Sequence, residues 1–120
     1  MVVIEGPRRS GRTTKLLEMA NEAKGCFVTA TQYQREFWKT EAKHMGMNDV
    51  VVISADDLKM LRRMDGNGIY KKKLFINDLD HLIYSYFGFE IAGVVVKSID
   101  DIEVIRMTPY GETEKEVNAD

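Results

Sequence analysis

The chain has one cysteine and two prolines in 120 residues, and each scarcity removes a class of explanation. A lone Cys26 cannot close an internal disulfide, which excludes a small secreted scaffold held together by such bonds. With so little proline and no low-complexity tract there is no linker to separate domains, and disorder is expected only at the ends. No run approaches the roughly 20 consecutive apolar residues that cross a bilayer. The opening run Met1-Val-Val-Ile4 is also far shorter than the apolar segment of a signal peptide. A soluble, cytoplasmic protein with no membrane partner is expected. Excess positive charge is missing too: 17 Lys and Arg against 19 Asp and Glu leave a net charge of −2. There is no broad basic field to draw in nucleic acid, so any such contact must be local.

What is present is ordinary for a globular domain, with 44% hydrophobic and 30% charged residues. The length suits one domain, taken as residues 1–110, followed by a flexible polar tail over 111–120. Met1-Val-Val-Ile-Glu5 reads as a buried strand entering a turn at Gly6-Pro7. Thr13, Leu16, Leu17, Ala20 and Ala23 then recur at helical spacing until Gly25, a candidate C-cap. Cys26-Phe-Val-Thr-Ala30 predicts a second strand. The helix after it would bury Tyr33, Phe37, Trp38, Ala42 and Met45 before Gly46. Val50–Ile53 predicts a third strand, and Ser54-Ala-Asp-Asp57 resembles a capping box, with Asp57 in the usual glutamate's place. The helix it opens runs through Leu58, Leu61 and Met64 and stops at Asp65-Gly-Asn-Gly68. Lys71-Lys-Lys73 leads into Leu74-Phe-Ile76 as a fourth strand, and Leu79, Leu82, Ile83, Tyr86 and Phe87 mark a helix closed by Gly88. Val94–Val96 and Ile102–Arg106 are the last strand candidates, joined as a C-terminal hairpin through Ser98-Ile-Asp-Asp101. Alternating strands and helices predict an α/β domain with a mostly parallel sheet and helices on both faces.

The sharpest chemical signal lies between the first strand and the first helix. Gly6-Pro-Arg-Arg-Ser-Gly-Arg-Thr13 has the spacing G-x-x-x-x-G-K-[ST], with arginine where lysine is usual. Glycines let backbone N–H groups curl around phosphate oxygens, the helix start adds its positive dipole end, and the hydroxyl of Thr13 is placed for Mg2+. Gly6, Pro7, Arg8, Arg9, Ser10, Gly11, Arg12, Thr13 and Thr14 are therefore the candidate nucleotide-binding residues. Arg12 keeps the charge but is a bulkier, planar group. Binding can survive that change while the geometry for hydrolysis suffers. Arg8 and Arg9 either reach phosphates or a partner or are simply solvated. The competing view of the whole segment is a glycine-bounded strand-to-helix turn with exposed arginines.

Over residues 1–98 the order of pieces resembles the first RecA-like domain of helicases and related P-loop ATPases. That resemblance implies a three-layer fold around a central sheet of about five strands. Thr29-Ala-Thr-Gln32 is similar to the segment that touches the nucleic-acid backbone in helicases. Asn77-Asp-Leu-Asp80 resembles the Walker B segment, and Ser98 sits where that family carries a serine-containing coupling motif. The resemblance makes Asn77 and Asp78 candidates for Mg2+ and Asp78 the catalytic candidate that orients water. In this sequence the first position is an amide, which carries no charge for a cation, and Asp78 is one methylene shorter than the usual glutamate. A register one residue on makes Asp78 the metal residue and puts Leu79 at the catalytic position. Both registers imply slow or absent hydrolysis. The alternative is a strand end where Asn77 or Asp78 caps the next helix.

Other residues carry less. His81 is a surface or capping residue unless it couples nucleotide state to a neighbouring strand, and His44 and Cys26 lack partners at metal-ligand spacing. Tyr33 and Trp38 suit core packing better than base stacking, and Lys71–Lys73 suits solvation better than a phosphate backbone. The leading function is binding of ATP or another NTP with Mg2+, with weak or no hydrolysis, in an accessory or switch protein acting with an unidentified protein partner. Its rivals are a degenerate P-loop scaffold that binds protein without nucleotide, a small nucleotide kinase, and a nucleic-acid-binding accessory protein. No arginine-rich lid or acceptor segment supports the kinase. The compact chain and reduced motifs resemble phage or mobile-element accessory proteins.

Overall fold

A computed structural model of the chain describes residues 1–63, 72–95 and 102–114. It is an α/β protein with nine described elements: β1 (Val2–Glu5), α1 (Arg12–Glu22), β2 (Cys26–Thr29), α2 (Gln32–His44), β3 (Val51–Ser54), α3 (Ala55–Arg63), β4 (Leu74–Ile76), α4 (Leu79–Phe87) and β5 (Glu103–Arg106). The strands form two parallel sheets, β1-β5 and β3-β2-β4. The chain divides into two compact units, one of residues 1–15 with 94–120 and one of 16–93.

The larger unit is built on β2, whose four residues are all buried. A strand covered on both faces has no need of polar alternation, which is why Cys26-Phe-Val-Thr29 reads as a continuous run. Its two faces feed two cores. Phe27 packs with Leu17 and Ala20 of α1 and Ala42 of α2, while Cys26 and Val28 pack with Ile53, Ala55 and Leu82. Helices thus cover both faces of this three-stranded sheet, α1 and α2 on one and α3 and α4 on the other. Burial pushes the Cys26 thiol up to about 11, so it stays a neutral core group.

The helix ends show how local chemistry sets the boundaries. Ser54 and Asp57 form the expected reciprocal cap at the start of α3. The Ser54 N–H donates to Asp57 Oδ2 at 3.0 Å, and the Asp57 N–H donates to Ser54 Oγ at 3.2 Å. Gln32 Nε2 donates to Ser54 Oγ at 2.8 Å and Arg35 Nη1 to Asp57 Oδ2 at 2.9 Å, so two side chains of α2 lock onto the same cap. Partial burial disfavours the Asp57 charge, but hydrogen bonds from the Ser54 N–H, Arg35 and Gln32 outweigh it and hold the carboxyl below its usual 3.8. A carboxyl whose pKa is lower in the folded state stabilises above its unfolded pKa, and that contribution is lost as pH falls through the folded value. Asp57→Ala should therefore cost about 1 kcal/mol at neutral pH. In urea unfolding the gap to the wild type should narrow as pH falls below about 4; a pH-independent gap would contradict this origin.

Several expectations are corrected. Tyr33 is 83% exposed, and Phe37 and Met45 are exposed as well. The face of α2 that meets the sheet runs through Trp38 and Ala42, with Phe37 standing edge-on to Trp38 at 5.1 Å. The left-handed position after α1 is taken by Lys24, and Gly25 follows it, donating its N–H to Ala20. In β1, Val3 and Glu5 are exposed and Val2 and Ile4 only half-buried, because its described pairing is with β5 alone. The described strands pair within two small sheets, β1-β5 and β3-β2-β4. Val94 and Val95 have no strand geometry, and Val95 is 99% exposed. Among the described residues nothing pairs Val94 or Val95 with the last strand, and β5 pairs in parallel with β1. Gly111–Glu114, read as the start of the tail, turn back on β5, with an antiparallel bridge between Met107 and Thr113. Met64, the Asp65–Gly68 stop, Lys71, Val96 and the Ser98–Asp101 connection lie outside the described residues. No described helix is long and apolar enough to cross a membrane.

Candidate functional site

The Gly6–Thr13 segment runs from the end of β1 to the first turn of α1. The first turn of the loop is closed by the Ser10 N–H donating to the Pro7 carbonyl at 3.2 Å. Arg9 and Gly11 adopt left-handed backbone conformations, with φ 61 and 80. Backbone turns of this kind are the sort from which anion-binding concavities are built. For Gly11 the positive φ favours the missing side chain. Lys15 N–H donates to Gly11 C=O at 2.9 Å as the helix begins, so the amides of Arg12, Thr13 and Thr14 belong to the helix N-terminus, where partial positive charge gathers.

Gly6 is glycine because of its surroundings. A Cβ there would lie 2.6 Å from Ser10 Oγ, 2.9 Å from Met107 Cβ and 3.1 Å from the Met107 carbonyl oxygen. The Ser10 side chain is folded inside the loop and fully buried, and its hydroxyl is the one buried side-chain polar group without a hydrogen-bond partner among the described residues. Leaving such a group unpaired costs about 1–3 kcal/mol.

Arg12 Nη1 donates to the Gly6 carbonyl at 2.7 Å. The guanidinium spans the loop from its last part to its first and leaves its other donors for a ligand. Pro7, Arg8 and Arg9 are exposed, and Thr13 and Thr14 half-buried. All nine candidate phosphate residues thus belong to one continuous loop and helix start after β1.

Asn77 and Asp78 follow β4 in the larger unit. The Asn77 N–H donates to the Val28 carbonyl at 2.9 Å, extending the β4 ladder by one bond. Asp78, left-handed at φ 54, is the N-cap of α4 and accepts from the His81 N–H at 3.5 Å. Its carboxylate thus has a structural task of the kind the capping alternative described, and His81 contributes a backbone donor to it. Thr29 and Gln32 are likewise engaged. The Thr29 hydroxyl lies 3.1 Å from the Thr31 carbonyl and 3.2 Å from that of Ile53, and Gln32 holds the α3 cap. Lys72 and Lys73 are exposed, and Ser98 is outside the described residues.

Among the described residues no three His, Cys, Asp or Glu side chains gather as a metal site. Mg2+ on a nucleotide asks for less, since phosphate oxygens and water fill most of its shell. The feature that motif reading missed is the turn after β5, whose Met107 lies against Gly6. Its local signal was Thr108-Pro-Tyr-Gly111, a turn sequence. No protein-family model, curated protein or solved structure matches this chain.

Proposed function

We propose that the protein binds a nucleoside polyphosphate, ATP in the first place, through the Gly6–Thr13 loop, with weak or no hydrolysis, as an accessory or switch protein acting with a protein partner. The observation that carries this reading is the orphaned Ser10 hydroxyl, buried inside a glycine loop at the N-terminus of an 11-residue helix. Phosphate oxygens would accept from the helix-start amides and from the free donors of Arg12, and Thr13 would face the Mg2+ that accompanies the nucleotide. Weak or absent hydrolysis is what the helicase resemblance implies for a chain with the amide Asn77 at its metal position and with Asp78, which caps α4, at its catalytic one. The finer architecture, a RecA-like domain with one mostly parallel sheet of about five strands, belongs to the same proposal. It is supported by the parallel pairing within both sheets. A cytoplasmic setting is in keeping with the single buried thiol.

A second reading, a scaffold that binds protein and no nucleotide, is favoured by the bond from Arg12 to Gly6, which closes the loop on itself. Melting temperatures with millimolar ATP, ADP and GTP, with and without Mg2+, separate the two. Ligand at about 100 times its dissociation constant adds about 2.7 kcal/mol of stability. The scaffold predicts no shift with any nucleotide.

Ser10→Ala gives a sharper test because its two expected effects have opposite signs. Removing an orphaned buried hydroxyl should raise the stability of the free protein by up to about 1 kcal/mol, while the shift induced by nucleotide shrinks. A variant less stable than the wild type without ligand would show that the hydroxyl already has a partner in the folded protein.

A further inference from the structure

β1 and β5 are parallel neighbours in register, Glu5 beside Arg106, so they end at the same level. One continues into the phosphate loop and the other into the turn Thr108-Pro-Tyr-Gly111. Ligands of parallel sheets bind beyond the carboxyl ends of their strands, and this turn stands at that end. Its backbone comes near the loop: a Cβ on Gly11 would lie 3.8 Å from Gly111 Cα, and one on Gly111 would lie 3.6 Å from the Ser10 carbonyl oxygen.

The turn is tightly tied. The Gly111 N–H donates to the Thr108 carbonyl at 3.1 Å, the Thr108 N–H to the Glu112 carbonyl at 2.7 Å, and the Glu112 N–H to Thr108 Oγ1 at 3.2 Å. Proline at its second position fixes φ. Tyr110 projects from this rigid turn with 90% of its surface exposed, and it is the only aromatic residue in the whole of residues 1–15 and 94–120. An exposed tyrosine is common by itself. One held beside a phosphate loop, on a backbone already ordered, offers a flat face at little entropic cost.

We infer that Tyr110 is the base-contacting residue of this site, so that the ligand is recognised as a nucleoside polyphosphate by stacking on the Tyr110 ring as well as by its phosphates. The inference rests on the phosphate reading of the Gly6–Thr13 loop. Stacking is tolerant of base identity, so the site should accept ATP and GTP alike and discriminate both from bare tripolyphosphate.

Calorimetric titration of the full chain with Mg-ATP and with Mg-tripolyphosphate tests this, using the wild type, Tyr110→Ala and Tyr110→Phe. Tyr110→Ala should weaken ATP about tenfold and leave tripolyphosphate unchanged, with Tyr110→Phe close to the wild type. Unchanged ATP affinity in Tyr110→Ala, with wild-type binding intact, overturns the stacking role and leaves the phosphate reading standing. An equal loss for both ligands shows that Tyr110 braces the loop and also overturns it. Failure of the wild type to bind either ligand overturns both readings together.

Discussion

Phe27→Ala should destabilise the protein by about 3–5 kcal/mol, a large share of the roughly 5–15 kcal/mol that holds a domain folded. Phe27 lies on the central strand of the three-stranded sheet and is fully buried. It is the largest of the completely enclosed side chains. Its ring centroid is 6.2 Å from that of Trp38, and it meets Leu17, Ala20 and Ala42 from two helices. Truncation removes transfer free energy and leaves a cavity whose walls belong to a strand and two helices, so collapse into it is limited. Urea unfolding followed by Trp38 fluorescence measures the loss, since the same cluster holds the reporter. A loss under about 1 kcal/mol would mean that this face of the sheet is not the core described above.

If the proposed nucleotide binding is right, Gly6→Val should abolish the rise in melting temperature that nucleotide gives, worth about 2.7 kcal/mol at about 100-fold saturation. The first added carbon would already crowd Ser10 Oγ within the loop and the Cβ and carbonyl oxygen of Met107 behind it. Ser10→Ala in the same chain removes only the hydroxyl contact at 2.6 Å and leaves Met107 Cβ at 2.9 Å and its carbonyl at 3.1 Å, so the double variant should not recover binding. Because Met107 is anchored by its N–H to the Glu5 carbonyl at 2.8 Å, the loop rather than the strand must give way. A folded Gly6→Val protein that still shows the full shift would place the nucleotide elsewhere.

Much of the local structure was legible in the residues. Apolar runs located β1 through β4, the Ser54 and Asp57 pair announced the start of α3, and Gly88, left-handed at φ 77 with its N–H on Tyr84, closes α4 as its position suggested. These features are fixed by neighbours within a few residues. Pairing is not. The partner of β1 lies about a hundred residues along the chain, and nothing in Glu103–Arg106 marks it as parallel to Val2–Glu5. Tyr33 failed for a related reason: it shares helical spacing with Phe37, but the sheet decides which side of α2 is covered. Val94 and Val95 have strand-forming side chains, yet propensity alone does not supply a neighbouring strand.

At the candidate site the glycines and the helix start could be read from spacing. The Met107 wall behind Gly6 could not, because it arrives from the far end of the chain. Likewise, nothing in Asn77-Asp-Leu-Asp80 distinguished a metal carboxylate from a helix cap, and the hydrogen bond from the His81 N–H to Asp78 at 3.5 Å is what assigns the capping task.

The proposed phosphate-binding role of the Gly6–Thr13 loop is tested most directly by following the backbone amides of the isotopically labelled protein by NMR as Mg-ATP is added. The amide signals of Gly6, of Ser10 through Thr14 and of the Met107–Gly111 turn should move together and saturate. Signals that stay in place there while ATP is present, or that move only around Gln32 and Asp57, would contradict the account.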